Sequence, residues 1–259
     1  MKVIREIKDL KRLISKKKQT TAKVGFVPTM GFLHTGHISL INLSKCQTDY
    51  TVASIYVNPS QFNDKSDYEK YPKDEVKDLE LLKASSCDVV FIPSQTEMES
   101  IEKQSIKFGG LDKIMEGKFR TGHFEGVVEV VSRLFSVVNP DKAFFGEKDF
   151  QQLQVIKMMV DQLNFPVEII GCPIVRESNG LAMSSRNSRL SRKARESAGF
   201  IYNILSSFKE QDRSSFEKKL FEFGFDLEYL EKHNFGGEQR LFIAGVYDNV
   251  RLIDNIKIK

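Results

Sequence analysis

A chain of 259 residues is long enough for one large domain, or a large and a small one, with an ample core. At 41% hydrophobic and 29% charged, its composition excludes a disordered chain. A net charge of +4, spread along the chain, argues against a dedicated nucleic-acid surface and leaves anionic small substrates open.

Ile4, Ile7, Leu10, Leu13 and Ile14 recur at helical spacing and predict an amphipathic first helix, with Lys16, Lys17 and Lys18 as its solvated end. The opening MKVIREIKDLKR has charges where a secretory signal needs an apolar core, and no apolar run reaches membrane-spanning length. A cytoplasmic location is therefore expected. The scattered Cys46, Cys87 and Cys172 suit a reducing compartment, and their apolar surroundings predict burial. Residues 24–27 read as a buried strand, followed by a tight loop holding Pro28, Gly31 and Gly36 and a helix from about Gly36 to Lys45. A second strand, 51–57, is rich in β-branched residues and ends in NPSQF, which leaves Gln61 at its carboxyl end. Residues 63–73 lack periodicity and predict a mobile loop. A helix over 74–84 turns Val76, Leu79 and Leu82 inward, and a third strand, 88–92, stops at Pro93.

Residues 95–123 carry a short candidate strand at 105–108 and the basic segment EGKFRTGHFEG. Val127, Val131, Leu134 and Val138 mark an amphipathic helix closed by Asn139 and Pro140. A fourth strand, 143–145, leads into GEKDFQQL and a helix marked by Leu153, Ile156, Val160 and Leu163; a fifth strand spans 167–172. Strands alternating with helices predict an α/β fold, a Rossmann-like parallel sheet with helices on both faces and its site outside the carboxyl ends of the strands. HTGH, NPSQF and GEKD all fall at such ends. Near residue 175 the character changes. After VRESNGLAMSSRNSRLS come a helix over 192–208 that Ser191 can cap, a charged helix at 214–223, and strands at 240–246 and 250–254 joined at 247–249. This predicts two domains, 1–174 and a smaller α+β domain at 175–259.

The stretch VGFVPTMGFLHTGHISL, from Val24 to Leu40, concentrates the chemistry. His34 and His37, three residues apart at a strand-to-helix turn, share one face at the positive, donor-rich end of a helix. Phosphate binds readily there, and Gly36 lets a nucleotide approach the backbone.

HTGH resembles the HxGH signature of the nucleotidylyl-transferase superfamily, and PTMGFLHTGH resembles the form found in the pantoate–β-alanine ligase family. IYVNPSQF, YPKD, GHFEGV, GEKDFQQLQ, MSSRNSRLS and RLIDN extend the resemblance over nearly the whole chain. It departs at Thr121, where the family usually has proline, and in a terminal domain shorter than usual. The resemblance implies that pantoate attacks ATP to form a pantoyl adenylate with loss of pyrophosphate, and that the amine of β-alanine then displaces AMP. It implies catalytic roles for His34, His37, Lys148 and Arg186, with Mg²⁺ on the ATP phosphates. ATP would be held by Met30, Gly31, Phe32, Leu33, His34, Thr35, Gly36 and His37, by Gly146, Glu147, Lys148 and Asp149, and by Val175, Met183, Ser184, Ser185 and Arg186. Gln61 would see pantoate and β-alanine, and Gln152 pantoate. Residues 1–174 would bind ATP and pantoate, 175–259 would form a lid, and the enzyme would be a homodimer. Arg120 and His123 are candidates near pantoate or phosphate, Tyr71 is a gate-loop candidate, and His233 reads as a solvated residue. Other readings share the fold: a nucleotidylyl transferase with another acceptor, a relative of the aminoacyl-tRNA synthetase core, or a non-catalytic nucleotide binder. NPSQF and GEKDFQQL favour the ligase over the first, and the absence of a broad basic face counts against the second.

Overall fold

A computed structural model of the chain describes residues 1–63 and 65–258 and divides the chain into two compact units. The first comprises residues 1–147 and 151–172, the second residues 148–150 and 173–259. Asp64 of the first and Lys259 of the second are not described.

In the first unit β1 (Lys2–Ile4), α1 (Ile7–Lys18), β2 (Val24–Thr29), α2 (Thr35–Gln47) and β3 (Tyr50–Ile55) come first. Short helix α3 (Lys65–Glu69), α4 (Glu75–Ala84), β4 (Val89–Phe91) and short helices α5 (Gln95–Glu99) and α6 (Met115–Phe119) follow. The unit ends with α7 (His123–Val138), β5 (Lys142–Gly146), α8 (Phe150–Leu163, whose first residue belongs to the second unit) and β6 (Glu168–Cys172). The strands form a six-stranded sheet in the order β1-β4-β3-β2-β5-β6, with every pairing parallel. The central strand β2 shows why both faces are covered, because successive side chains point to opposite faces. Phe26 meets Phe135 of α7 edge-on, with centroids 6.2 Å apart, while Val27 joins the cluster that holds Leu40 and Ile41 of α2.

Several expectations change. Ile4 belongs not to the first helix but to a further strand, β1, paired with Phe91. Pro28 lies in β2 rather than in the loop, opposite Ser54. Pairing with β5 covers Gly25 and Phe26, so the missing N–H of Pro28 falls where that side of β2 has no partner strand. Residues 65–69 form α3, and Tyr71, expected at a gate, is buried, its ring and that of Tyr68 packed edge-on against Phe62. Asp64, within the expected loop, lies outside the described residues. Residues 105–108 form no strand: the Gln162 side chain accepts from Lys107 N–H (2.9 Å) and donates to its carbonyl (2.8 Å), standing in for a strand partner. Val76 is 70% exposed, and Asp78 takes an inward position of α4 with Leu82. Cys46 is exposed, whereas Cys87 and Cys172 are buried.

The second unit contains α9 (Arg192–Ser197), α10 (Phe200–Ser207), α11 (Arg213–Glu222) and an antiparallel three-stranded sheet, β7 (Asp226–Phe235), β8 (Glu238–Tyr247) and β9 (Val250–Lys257). The helix expected over 192–208 is two, because Asn179 Nδ2 donates to the carbonyls of Arg195 and Glu196 and so ends α9. Strand β7 was not expected; His233, expected to be solvated, sits on it half-buried, with Nε2 2.7 Å from Glu231 Oε2. Both hairpins turn through left-handed residue pairs, Gly236–Gly237 and Asp248–Asn249, as tight antiparallel turns demand. Phe200, Ile204, Leu220, Leu230, Leu241 and Ile243 lie in the core of this unit.

Candidate active site

β3 and β5 flank β2, all parallel, so the carboxyl ends of the three strands lie at one edge of the sheet. From β2 the chain runs outward through β3 and β4, then returns to β5 on the other side of β2. The strand order reverses between β2 and β5, and α/β sheets open a ligand crevice at such a point. Residues 30–37 and 58–61 follow the ends of β2 and β3, and Gly146 ends β5 with Glu147 directly after it.

The turn after β2 is held through its backbone. Gly31 N–H donates to Thr29 Oγ1 (3.2 Å), Phe32 N–H to Asp78 Oδ2 (2.8 Å), Leu33 N–H to Asp78 Oδ1 (2.6 Å) and His34 N–H to His37 Nδ1 (3.3 Å). Thr29 Oγ1 donates in turn to the Ser54 carbonyl of β3 (2.7 Å). These bonds hold Gly31 at φ +81° and Phe32 at φ +50°, a left-handed region that costs a side-chain-bearing residue roughly 1–2 kcal/mol. A Cβ on Gly31 would lie 2.9 Å from Asp78 Oδ2, so glycine admits the carboxylate to the turn. Burial pushes the Asp78 carboxyl above its ordinary range, against the pull of the Leu33 and Phe32 N–H bonds.

His34 caps α2, its Nδ1 accepting from Gly36 N–H at 3.1 Å. Because Nδ1 of both His34 and His37 accepts a hydrogen bond, the neutral rings carry their proton on Nε2. The centroids are 4.0 Å apart, which gives two Nε2–H donors on adjacent rings at the positive end of a helix. His34, Gly36 and His37 are half-buried and Thr35 is exposed.

Gln61 is buried, and its Nε2 approaches Met30 Sδ at 2.7 Å, which brings two predicted site residues together. Arginine can only donate, so Arg120 Nη1 gives to His123 Nε2 (3.1 Å) and His123 Nδ1–H gives to the Gln61 carbonyl (2.9 Å). Glu116 Oε2 lies 3.4 Å from Arg120 Nη1. A Cβ on Gly126 would fall 2.4 Å from the Ser60 carbonyl, so the start of α7 rests directly on this turn, and Asn58 Nδ2 donates to the Gly126 carbonyl at 3.0 Å. Arg120 and His123 thus support the backbone of Gln61. Gln152 is half-buried on α8; its neighbour Gln151 bonds to Glu116 N–H and the carbonyls of Leu111 and Ile114.

In the second unit Lys148 Nζ lies 3.7 Å from Asp149 Oδ1, and Asn255 Nδ2 donates to the Lys148 carbonyl at 3.0 Å. Arg240 Nη1 holds Asn255 Oδ1 at 2.6 Å. Val175 carbonyl accepts from Met183 N–H (2.9 Å), while Ser184 Oγ accepts from Arg186 N–H (3.2 Å) and begins a 3-10 segment, Ser185–Arg189. Asn187 Nδ2 secures that segment through the Ala182 carbonyl (3.0 Å) and Glu177 Oε1 (2.8 Å). Next to Val175, Arg176 forms a two-pronged pair with buried Asp254 (2.6 and 3.0 Å) and lies over the Tyr202 ring.

Sequence reasoning did not find Asp78, Asn187, Arg240 or the Arg176–Asp254 pair as supports. The one visible signal was a carboxylate at position 78, four residues before the inward-facing Leu82. Among the described residues no group of three or more His, Cys, Asp or Glu is placed to hold a metal ion, and no helix is long and apolar enough to cross a membrane.

A model of the family described as pantoate–beta-alanine ligase matches residues 2–257. A curated pantothenate synthetase from Christiangramia forsetii is 45% identical across 100% of this chain and 99% of its own length. The pantothenate synthetase structure from Thermus thermophilus superposes with a TM-score of 0.90 at 36% identity, covering 99% of both chains. The pantoate–beta-alanine ligase from Francisella tularensis, complexed with beta-gamma ATP and beta-alanine, superposes with a TM-score of 0.91 at 38% identity, covering 99% of this chain and 97% of its own.

Proposed function

The chain belongs to the pantoate–β-alanine ligase family, and from this premise we infer that it condenses pantoate with β-alanine at the expense of ATP. A carboxylate resists attack by an amine because oxide would have to leave. In the first step a pantoate carboxylate oxygen bonds to the α-phosphorus of ATP and the bond to the β-phosphate oxygen breaks, releasing pyrophosphate. In the second, the β-alanine nitrogen bonds to the carbonyl carbon of the adenylate, the carbon–oxygen bond to AMP breaks, and the nitrogen sheds its proton. Such chemistry asks the protein chiefly for alignment and charge stabilisation.

The observation that carries the assignment is the His34–His37 pair, with both Nδ1 atoms held by backbone N–H groups. In this reading both Nε2–H groups donate to α- and β-phosphate oxygens as charge moves onto pyrophosphate. Lys148, Ser184, Ser185 and Arg186 hold the leaving phosphates. Asp149 with Gly146 takes the ribose, Val175 offers backbone to adenine, Met30 lines the pocket, and residues 31–33, Glu147 and Met183 complete the ATP site. Gln61 and Gln152 bind pantoate, and Gln61 also meets β-alanine.

Magnesium would come with ATP, and its charge would offset that of the phosphates held by Lys148, Ser184, Ser185 and Arg186. We place the enzyme in the cytoplasm as a homodimer, with residues 175–259 as the lid; a monomer by sedimentation at micromolar concentration would remove the dimer from this reading.

The test is AMP and pyrophosphate release from magnesium-ATP with pantoate, β-alanine, both or neither. Steady release of both products only with both organic substrates is the expected result. No release under any combination would discard the ligase reading.

A further inference from the structure

Asp78 is 2% exposed, and among the described residues no lysine or arginine forms an ion pair with it. Burying a carboxylate without a cation is costly, so its environment must supply donors. The donors are the consecutive N–H groups of Phe32 and Leu33, one to each oxygen. Two successive N–H groups converging on an anion after left-handed residues form a backbone nest, the arrangement proteins also offer to phosphate. Here the anion belongs to the protein and comes from a different element, α4. What the carboxylate secures is a turn that a free chain would not keep, with φ positive at both Gly31 and Phe32. Two residues beyond Phe32, His34 caps α2 and carries one of the two imidazole donors.

We propose that Asp78 is a positioning residue for adenylate formation, holding residues 31–34 in their nucleotide-ready form before ATP arrives. It touches no substrate. Its effect reaches the α-phosphate through the backbone of Phe32 and Leu33, whose direction sets where His34 and His37 present their Nε2–H groups. The proposal rests on the ligase reading above and deepens it, since it concerns the step in which pyrophosphate leaves. Asp78→Asn keeps the size of the side chain but replaces one accepting oxygen with an amide donor, which faces an N–H group and cannot satisfy it.

The experiment combines pantoate-dependent pyrophosphate release, measured as kcat and as KM for ATP, with melting temperature and amide hydrogen exchange. In the wild-type protein without nucleotide, the Phe32 and Leu33 amides should exchange slowly, as the interior amides of α4 do. Asp78→Asn should speed their exchange and lower kcat at least tenfold, at a temperature where the variant is fully folded. A kcat within twofold of wild type overturns the proposal. So does free exchange of both amides in the wild type, a result that stands even if the variant does not fold. A wild type that never releases pyrophosphate with pantoate would sink the ligase reading instead, and the exchange data would still decide whether Asp78 holds the turn.

Discussion

Asp78 Oδ1 accepts a hydrogen bond from Leu33 N–H at 2.6 Å, tying a helix that contributes no predicted site residue to the turn that leads into His34. The approach depends on Gly31. Alanine there would keep φ at +81° against roughly 1–2 kcal/mol of left-handed strain and put its Cβ 2.9 Å from Asp78 Oδ2 and 3.0 Å from Ile55 Cγ2. Gly31→Ala should lower stability in urea melts by at least about 1 kcal/mol and slow pyrophosphate release. Unchanged stability would mean that the turn relaxes without loss.

Capping and catalysis by His34 can be separated. Asparagine at the cap can accept from Gly36 N–H as Nδ1 does, but it has no counterpart to the Nε2–H donor. His34→Ala should cost about 0.5–2 kcal/mol of stability and His34→Asn much less. Both should reduce turnover by about 10²–10³ if the donor stabilises charge on the phosphates. Near-normal turnover in His34→Asn would show that only the cap matters.

The Asp78 carboxyl also predicts a pH dependence of stability. Burial raises it in the folded state, with Asp74 adding to the rise and Lys77 opposing it. Between the unfolded and folded values the native protein therefore binds more protons, and stability falls as pH rises. The contribution is fully present below the unfolded value and is lost as pH climbs through the raised folded value. The stability of the wild type relative to Asp78→Asn, from urea midpoints between about pH 3.5 and 7, should decline and then level off. A difference that grows with pH would contradict the sign.

In the second unit the Arg176–Asp254 pair joins a half-buried guanidinium to a buried carboxylate, with side-chain exposures of 17% and 3%. Removing the acid leaves the guanidinium with only the Gly180 and Asn255 carbonyls and the Tyr202 ring, so Asp254→Ala should cost up to about 3–5 kcal/mol. Replacing both partners with Met and Leu should cost less than that single change, as thermal melts can establish. A double variant less stable than Asp254→Ala would show that the ion pair contributes more than its desolvation costs.

The thiols should differ sharply in reactivity. Burial, with the Glu147 charge adding to it, pushes Cys172 up to about 12, and burial pushes Cys87 up to about 11, whereas Cys46 is exposed. A disulfide reagent at about pH 8 should titrate Cys46 quickly in the native protein and all three thiols only in denaturant. Fast native reaction at Cys87 or Cys172 would count against the packing described.

What the sequence by itself determined was local and periodic. Short apolar runs marked five of the six parallel strands, and the glycine-bounded HTGH marked the chemistry, because strand burial and helix capping leave short-range signatures. Ile4 joined a helical pattern by accident of spacing, and β7, rich in charge, showed no apolar run. The tertiary structure alone decided which distant groups hold the site. Asp78 reaches Leu33 across 45 positions and His123 reaches Gln61 across 62, and Gln162 takes a strand partner's place at Lys107 across 55. No spacing rule encodes such contacts. A buried polar group must find its partner wherever the fold supplies one, and only the closed fold shows where that is.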